Sequence, residues 1–415
     1  MLNTSDLEGG AARAVYRLHQ GFRSLGIDSQ MVVQRSITHQ RYIHAPQSKL
    51  DRGISALRPS IDQLPQWLFA PSGMTEYSMG WFPDRVASRV WALKPDIVHL
   101  NFLGKGFVRP ETLPRFHRPL VWTLHDEWAY TGGCYHAGSC ERYKASCGVC
   151  PKLESRHEND FSRWVWQRKQ RAWHNLSITL VCPSRWLAER AGRSSLLSGQ
   201  DVRVIANGVD LERFKPLDRQ TARQWLNLPQ EKRLILFSAV RAAQNPYKGF
   251  QFLPELLQRL SDLGWQERME LLILGEGDAQ DFPEAALPVR WFGHVQDEIT
   301  VALLNAAVDV LVVPSLQDNL PNTVIEALAC GTPCAAFRVG GIPEMLDHQE
   351  NGYLAALGDA SDLAAGVHWI LEDPVRYGHL TLQARQTAEG RYDLFQQARQ
   401  YASLFEELIL RQKHA

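Results

Sequence analysis

The chain has 415 residues, with 45 basic against 45 acidic side chains, seven cysteines and 45% hydrophobic residues. That length predicts two domains with full cores, and the cancelled charge gives no bulk attraction to nucleic acid. No apolar run reaches the roughly 18 residues of a membrane-spanning helix. No secretory leader is read, so the cysteines are expected in a reducing, cytoplasmic setting as thiols or metal ligands.

Leu2-Asn3-Thr4-Ser5-Asp6 carries too few apolar residues for a full strand, which implies either a strand cut to a stub or a start codon placed late. It runs into Glu8-Gly9-Gly10, a Gly-rich turn before an amphipathic helix that ends near Gly26. Behind a strand, such a turn lets backbone approach phosphate, which makes Gly9 and Gly10 candidate nucleotide contacts. A plain helix N-terminus is the alternative. Residues 29–34 predict the second strand. Residues 45–85, punctuated by Pro59, Pro65, Pro71 and Pro83, predict loops and short helices.

Residues 96–101 and 119–124 predict two further strands. Their carboxyl ends carry Asn101, His125 and Asp126, where open α/β sheets place their sites. His125 is a catalytic candidate; a buried histidine satisfied by a neighbour is the alternative. Next come Cys134, Cys140, Cys147 and Cys150, spaced C-x5-C-x6-C-x2-C. Four thiols this close fit a tetrahedral structural Zn²⁺. Reduced thiols, or a disulfide in an exposed loop, are the other readings. A helix over 160–174 mixes tryptophans with four cations. It fits either an anionic membrane surface or, as the favoured reading, tryptophans turned inward and cations turned to water.

The second half alternates strand and helix more cleanly. Strands are predicted at 234–239, 269–274, 289–292 and 333–337, which implies a parallel, doubly wound sheet. Arg241 and Lys248 follow the first of these, and Gly293, His294 and Val295 follow the third. The stretch Val313-Pro-Ser-Leu-Gln-Asp318-Asn-Leu-Pro-Asn-Thr-Val-Ile-Glu326-Ala-Leu-Ala-Cys-Gly-Thr-Pro333 reads as a strand end, a turn-rich loop and a short helix over 324–330. Asp318 lies on the loop and Glu326 is placed in the first helical turn. Carboxylates either side of a helix N-terminus suit a polyhydroxylated anion: amides and dipole take phosphate, and carboxylates accept from hydroxyls.

Acid-x7-acid in this setting, with Gly340-Gly-Ile-Pro-Glu344 downstream, resembles the E-x7-E signature of retaining GT-B glycosyltransferases of family 4 (glycosyl transferases group 1). The first acid is Asp318, where that family more often has Glu. Trp122-Thr-Leu-His-Asp-x-Trp with the cysteine run resembles colanic-acid and exopolysaccharide transferases. The resemblance covers nearly the whole chain. It implies two Rossmann-like doubly wound domains facing a central cleft. Residues 1–200 form the acceptor side with the cysteine insert at 134–150, and residues 201–390 bind the nucleotide sugar. A last helix over 391–415 crosses back.

The resemblance further implies that Arg241 and Lys248 meet the donor diphosphate and Glu326 the ribose. Asp318 would meet the donor sugar. Asn319, Leu320, Pro321, Asn322 and Thr323 form the stretch near which backbone amides would meet the phosphate, Gly293 to Val295 line the base, and His125 lies near the reacting sugar. The implied reaction is metal-independent, retaining sugar transfer from a nucleotide diphosphate to a growing, lipid-linked polysaccharide precursor, with peripheral contact to the inner membrane face. The rival readings are a nucleotide-sugar 2-epimerase on the same fold and a degenerate, non-catalytic scaffold.

Overall fold

The computed structural model describes residues 1–69, 77–240, 245–277 and 285–414. The chain divides into two compact units, Met1–Ala206 with Gln397–Ala415, and Asn207–Gln396. Seven strands build the first: β1 (Leu2–Ser5), β2 (Met31–Arg35), β3 (Ile43–His44), β4 (Val98–Leu100), β5 (Leu120–Thr123), β6 (Ile178–Cys182) and β7 (Asp201–Val204). Six build the second: β8 (Arg233–Ser238), β9 (Met269–Leu274), β10 (Val289–Gly293), β11 (Val310–Val313), β12 (Cys334–Phe337) and β13 (Gly352–Ala355). The sheet orders are β3-β2-β1-β4-β5-β6-β7 and β10-β9-β8-β11-β12-β13. Neighbouring strands pair in parallel throughout. Both sheets are doubly wound, because the order reverses after the first strand of each. A sheet covered on both faces has apolar strands without alternation, which is why Leu234, Ile235, Leu236 and Phe237 are all buried.

The helices of the first unit that concern us are α1 (Gly10–Ser24), α2 (Lys49–Phe69), α3 (Val86–Ala92), α4 (Phe161–Trp173) and α5 (Arg185–Gly192). The second unit contributes α6 (Arg219–Trp225), α7 (Leu253–Leu260), α8 (Glu298–Ala307), α9 (Asn322–Ala329), α10 (Ala360–Glu372) and α11 (Pro374–Arg391). The last helix, α12 (Leu394–His414), places Tyr401 and Leu404 in a core cluster with Phe22, Val121 and Val181 of the first unit.

Two expectations are corrected here. The first strand is present: Leu2 pairs with Val32 on one side and Leu100 on the other. Its polar composition is tolerated because buried Asn3 is satisfied, its oxygen accepting from Phe102 N at 3.0 Å and its amide donating to Ser5 O. The stretch after residue 45 is not irregular, since α2 runs for 21 residues through Pro59 and Pro65. A mid-helix proline frees the carbonyl four residues earlier. Here both freed groups find side-chain donors: Gln34 Nε2 gives to Ser55 O at 3.1 Å, and Trp81 Nε1 gives to Ile61 O at 3.0 Å.

Candidate active site

The switch point of the second sheet lies between β8 and β11, which are adjacent in space but separated in sequence by β9 and β10. Ligands of open α/β sheets bind outside the carboxyl ends of strands at such a point. After β8 the chain turns through Pro246–Lys248, capped by the Asn245 side chain, which accepts from Tyr247 N. After β11 it enters the loop that carries Asp318. The two segments are joined by Leu316 N donating to Tyr247 O at 2.8 Å. Across them Lys248 Nζ donates to Asp318 Oδ2 at 2.6 Å, and Ser315 Oγ donates to the same oxygen at 3.3 Å. Asp318 Oδ1 takes Asn319 N at 3.1 Å. The two residues assigned separately to diphosphate and sugar are thus joined in one ion pair. Arg241 lies outside the described residues.

Two glycines fix this loop by close approach. Gly249 has φ 77°, and a Cβ there would fall 1.7 Å from Pro314 O. Gly340 has φ 60°, and a Cβ there would fall 1.7 Å from Asp318 O. Gly341 N then donates to Asp318 O at 3.2 Å. Both glycines stand inside the recognised stretches, but the reason for them appears only where chain segments far apart in sequence meet.

Helix α9 starts two residues earlier than the sequence predicts, at Asn322, so Glu326 sits in the second turn rather than the first. It is almost fully buried. The helix N-terminus follows directly on Asp318 to Pro321 and turns its first amides and positive dipole end toward the loop. Asn207 Nδ2 donates to Asn322 Oδ1 at 3.3 Å, which ties that N-terminus to the start of the unit. Gly293, with φ 66°, ends β10, its carbonyl accepting from Gly275 N at 2.9 Å; His294 and Val295 follow it. Lys248, Gly293 and Asp318 therefore all follow carboxyl ends of parallel strands in one sheet.

In the first unit the switch point lies between β1 and β4. Asp6 follows β1 with no exposed surface. Burial alone would raise its pKa, but the amides of Thr38 and Ile37 and the hydroxyls of Ser36 and Thr38 hold it below the ordinary range. Gly9 follows with φ 93° at the start of α1, and a Cβ there would meet nothing within 4 Å. The strand, Gly-rich turn and helix are therefore all present around Gly9 and Gly10. Beyond β4 and β5, His125 Nε2 lies 3.1 Å from Asn101 Oδ1, and Trp122 Nε1 holds Asn101 O at 3.0 Å. With that oxygen as acceptor, Nε2 carries the proton and Nδ1 the lone pair. The ring is partly exposed, yet its surroundings are dry enough to lower its pKa to about 4, so it is neutral at pH 7.

Residues 8–213 match the description Glycosyltransferase Family 4, and residues 232–373 match Glycosyl transferases group 1. The chain is 27% identical over 367 residues to an Escherichia coli protein named as a colanic acid biosynthesis glycosyl transferase, WcaC, spanning 82% of each chain. The chain belongs to the family 4 glycosyltransferases. Its fold is GT-B, as in Anabaena HepE, solved in complex with UDP-glucose (TM-score 0.65, 18% identity, 98% of each chain). WaaG, a glycosyltransferase involved in lipopolysaccharide biosynthesis, shares that fold (TM-score 0.66, 16% identity, 97% of this chain and 98% of WaaG).

The cysteine insert of this transferase corrects another expectation. Among the described residues no group of three or more His, Cys, Asp or Glu side chains is placed to hold a metal ion, so a structural zinc is not supported. Cys134, Cys140, Cys147 and Cys150 are free thiols. Burial raises Cys147 to about 12 and pushes Cys134 and Cys150 up as well, which keeps these three protonated. Hydrogen bonds to α4 and the turn before it order the insert instead. Cys150 N donates to Asp160 Oδ2 at 2.8 Å, Gly148 N to Ser162 Oγ at 2.8 Å, and Arg163 Nε to Cys147 O at 3.0 Å. Helix α4 buries Trp166 and Trp173, as favoured, while Trp164 stays exposed.

Two of the four cations of α4 do not face water. Arg168, its side chain 11% exposed, donates to Met79 O, Gly80 O and the Glu111 carboxylate. Lys169 is fully buried, with Nζ 3.7 Å from the Trp128 ring centroid and donating to Trp128 O and Thr131 O. Burial lowers its pKa to about 7. The sequence carries no signal for this beyond a lysine set among tryptophans.

Proposed function

We propose that this transferase moves a sugar, with retention of anomeric configuration, from a nucleotide diphosphate to a growing lipid-linked polysaccharide precursor. The observation that carries the donor half of this reading is the Lys248–Asp318 pair beside the α9 N-terminus at the sheet's switch point. When a diphosphate enters, its charge competes for the Lys248 ammonium. Asp318, released from the pair, becomes free to accept from a sugar hydroxyl. A fixed ammonium and helix-terminal amides stabilise the diphosphate as it leaves, which is the electrostatic part of the catalysis. Glu326 is assigned to the ribose, Gly293 to Val295 to the base, and Asn319 to Thr323 to the phosphate-binding stretch. Arg241 is assigned to the diphosphate beside Lys248. His125, neutral at pH 7, is assigned to the acceptor side.

In this scheme no carboxylate attacks the anomeric carbon. The leaving phosphate takes the acceptor proton on the same face, which gives retention. The chemistry of the relatives supports the reading: HepE was solved with UDP-glucose, and WcaC is named for colanic acid biosynthesis. A thermal-shift panel of nucleoside diphosphates should give one clear stabiliser. NMR of the product formed from the matching donor should then show the donor's anomeric configuration. Silence across the whole panel, or an inverted product, overturns the proposal.

A further inference from the structure

Asn101 follows β4 directly and is 3% exposed. Its backbone is held from both flanking strands: Asn101 N donates to Leu2 O at 3.0 Å, and Asn101 O accepts from Trp122 Nε1 at 3.0 Å. The next residue is fixed as well, with Phe102 N donating to Asn3 Oδ1 at 3.0 Å. The side-chain amide of Asn101 therefore projects from a rigid frame.

An amide has two orientations, and its surroundings choose between them. Asn101 Nδ2 faces His99 O at 3.5 Å. Turned over, the amide would set its own oxygen against that carbonyl oxygen, acceptor against acceptor. The amide oxygen is thereby left for His125, whose Nε2 stands 3.1 Å away. A carbonyl oxygen only accepts, so Nε2 carries the ring proton. The backbone just before the ring is fixed too, because Leu124 N donates to Val181 O at 2.9 Å. Trp122, Trp128 and Gly104 wall a recess of about 10 Å³ beside the pair, room for a single water, which leaves the ring little space to swing away from Asn101.

An asparagine that only filled space would direct both ends of its amide to main chain. This one meets main chain at the long limit of a hydrogen bond and gives its oxygen to a partly exposed side chain. A neutral imidazole offers one donor and one acceptor, and the bond made by one nitrogen decides what the other can do. With the donor committed to Asn101, Nδ1 is left as the acceptor. The charged group next along the chain, Asp126, turns Oδ1 to Trp128 N at 2.7 Å, and His99 behind the amide is kept neutral by burial.

We propose that Asn101 is a positioning residue for sugar transfer: it fixes His125 as the Nε2-protonated tautomer, so that the ring presents Nδ1 as a set hydrogen-bond acceptor for one hydroxyl of the reacting sugar. This rests on the assignment of His125 to the site and deepens it, because it gives the ring one task and excludes another. A ring that stays neutral so far below pH 7 orients a hydroxyl without taking its proton.

The test reads the ring directly. Two-bond proton–nitrogen NMR correlations of histidine-labelled, full-length protein distinguish a protonated from a bare ring nitrogen, and His125→Gln identifies the His125 signal. The wild type at pH 7 should show a protonated Nε2 and a bare Nδ1. Asn101→Leu removes the acceptor and should let the proton redistribute between the two nitrogens. It should also lower turnover about ten- to a hundredfold with nucleotide affinity unchanged. Turnover is read as nucleoside diphosphate released into water from the nucleotide sugar that matches the stabiliser found in the panel. Asn101→Asp should keep the tautomer and most of the turnover. Buried against His99 O, its carboxyl stays protonated and repeats both bonds of the amide. Three results overturn the proposal: a wild-type proton on Nδ1, a leucine variant that keeps the tautomer or the turnover, or an aspartate variant as slow as the leucine one. Should Asn101→Leu not fold, the wild-type spectrum and Asn101→Asp still decide. Undiminished turnover in His125→Gln would instead remove His125 from the site, and with it the assignment beneath the proposal.

Discussion

Removing the Lys248 ammonium probes the proposed donor site most directly. Its Nζ lies 2.6 Å from Asp318 Oδ2, with the lysine side chain 33% exposed and the aspartate 13%. Water and salt screen such a pair, so its contribution to stability is about 1 kcal/mol or less. Lys248→Ala should fold normally, with a Tm lowered by no more than about 4 °C. Its effect on the donor should be larger. A charge-assisted bond to phosphate contributes about 1.5–3 kcal/mol, partly offset by the Asp318 contact that the ammonium gives up. The loss of that bond, together with an uncompensated Asp318 beside the incoming diphosphate, predicts a ten- to a hundredfold weaker Kd, about 1.4–2.8 kcal/mol.

Asp318→Asn should act in the opposite direction on the bare nucleotide. It frees Lys248 without removing it, so affinity for the nucleoside diphosphate should rise by up to about fivefold, the equivalent of about 1 kcal/mol. Turnover of the full donor should fall, because the carboxylate proposed to receive the sugar hydroxyl is gone. Calorimetric titration of both variants and of the double variant measures the two effects and their coupling. Unchanged affinity in Lys248→Ala removes that residue from the site. A loss of bare-nucleotide affinity in Asp318→Asn equal to that of Lys248→Ala refutes the competition between pair and diphosphate.

Gly340→Ala should displace the Asp318 loop, because the added Cβ would overlap Asp318 O at 1.7 Å and φ there is 60°. Nucleotide affinity should drop by at least about tenfold even though no ligand-facing side chain changes, and calorimetry at normal far-UV circular dichroism checks it. Asp309, with no exposed surface, accepts from Arg223 at 2.7 Å, from Arg219 and Arg233 at 3.0 Å each, and from Leu234 N at 2.7 Å. Asp309→Ala strands the buried Arg223 and should cost about 3–5 kcal/mol in urea unfolding. Lys169, held near 7 by burial against an ordinary 10.5, binds fewer protons folded than unfolded between those values. Stability from this group should therefore rise as pH climbs from about 7 to 10, and Lys169→Met should flatten that slope in a Tm series. Above about pH 10, where the wild-type lysine is neutral in both states, the methionine variant should be the less stable of the two, because the carbonyls of Trp128 and Thr131 lose their donor.

The sequence by itself determined what depends on neighbours along the chain. The apolar runs at β8, β9 and β11 marked buried parallel strands, and the acid pair with its turn residues marked the strand, loop and helix around Asp318 and Glu326. The helix from Phe161 to Trp173 was legible from its periodic tryptophans. These features rest on local periodicity and turn chemistry, which a linear sequence displays directly.

Tertiary structure decided what depends on partners far away. Leu2–Ser5 is a strand because β2 and β4 flank it, not because its residues favour one. The run through Pro59 and Pro65 is a helix because Gln34 and Trp81 satisfy the carbonyls that the prolines free. Lys248 meets Asp318 across 70 residues only because the sheet order places β8 next to β11. The spacing of four cysteines allowed a metal, but the burial of Cys147 and Cys150 and the polar contacts of the insert with the start of α4 are three-dimensional facts. Pairings of this kind are set by sheet order and by which buried polar group reaches which donor, and neither is written in any short window of the chain.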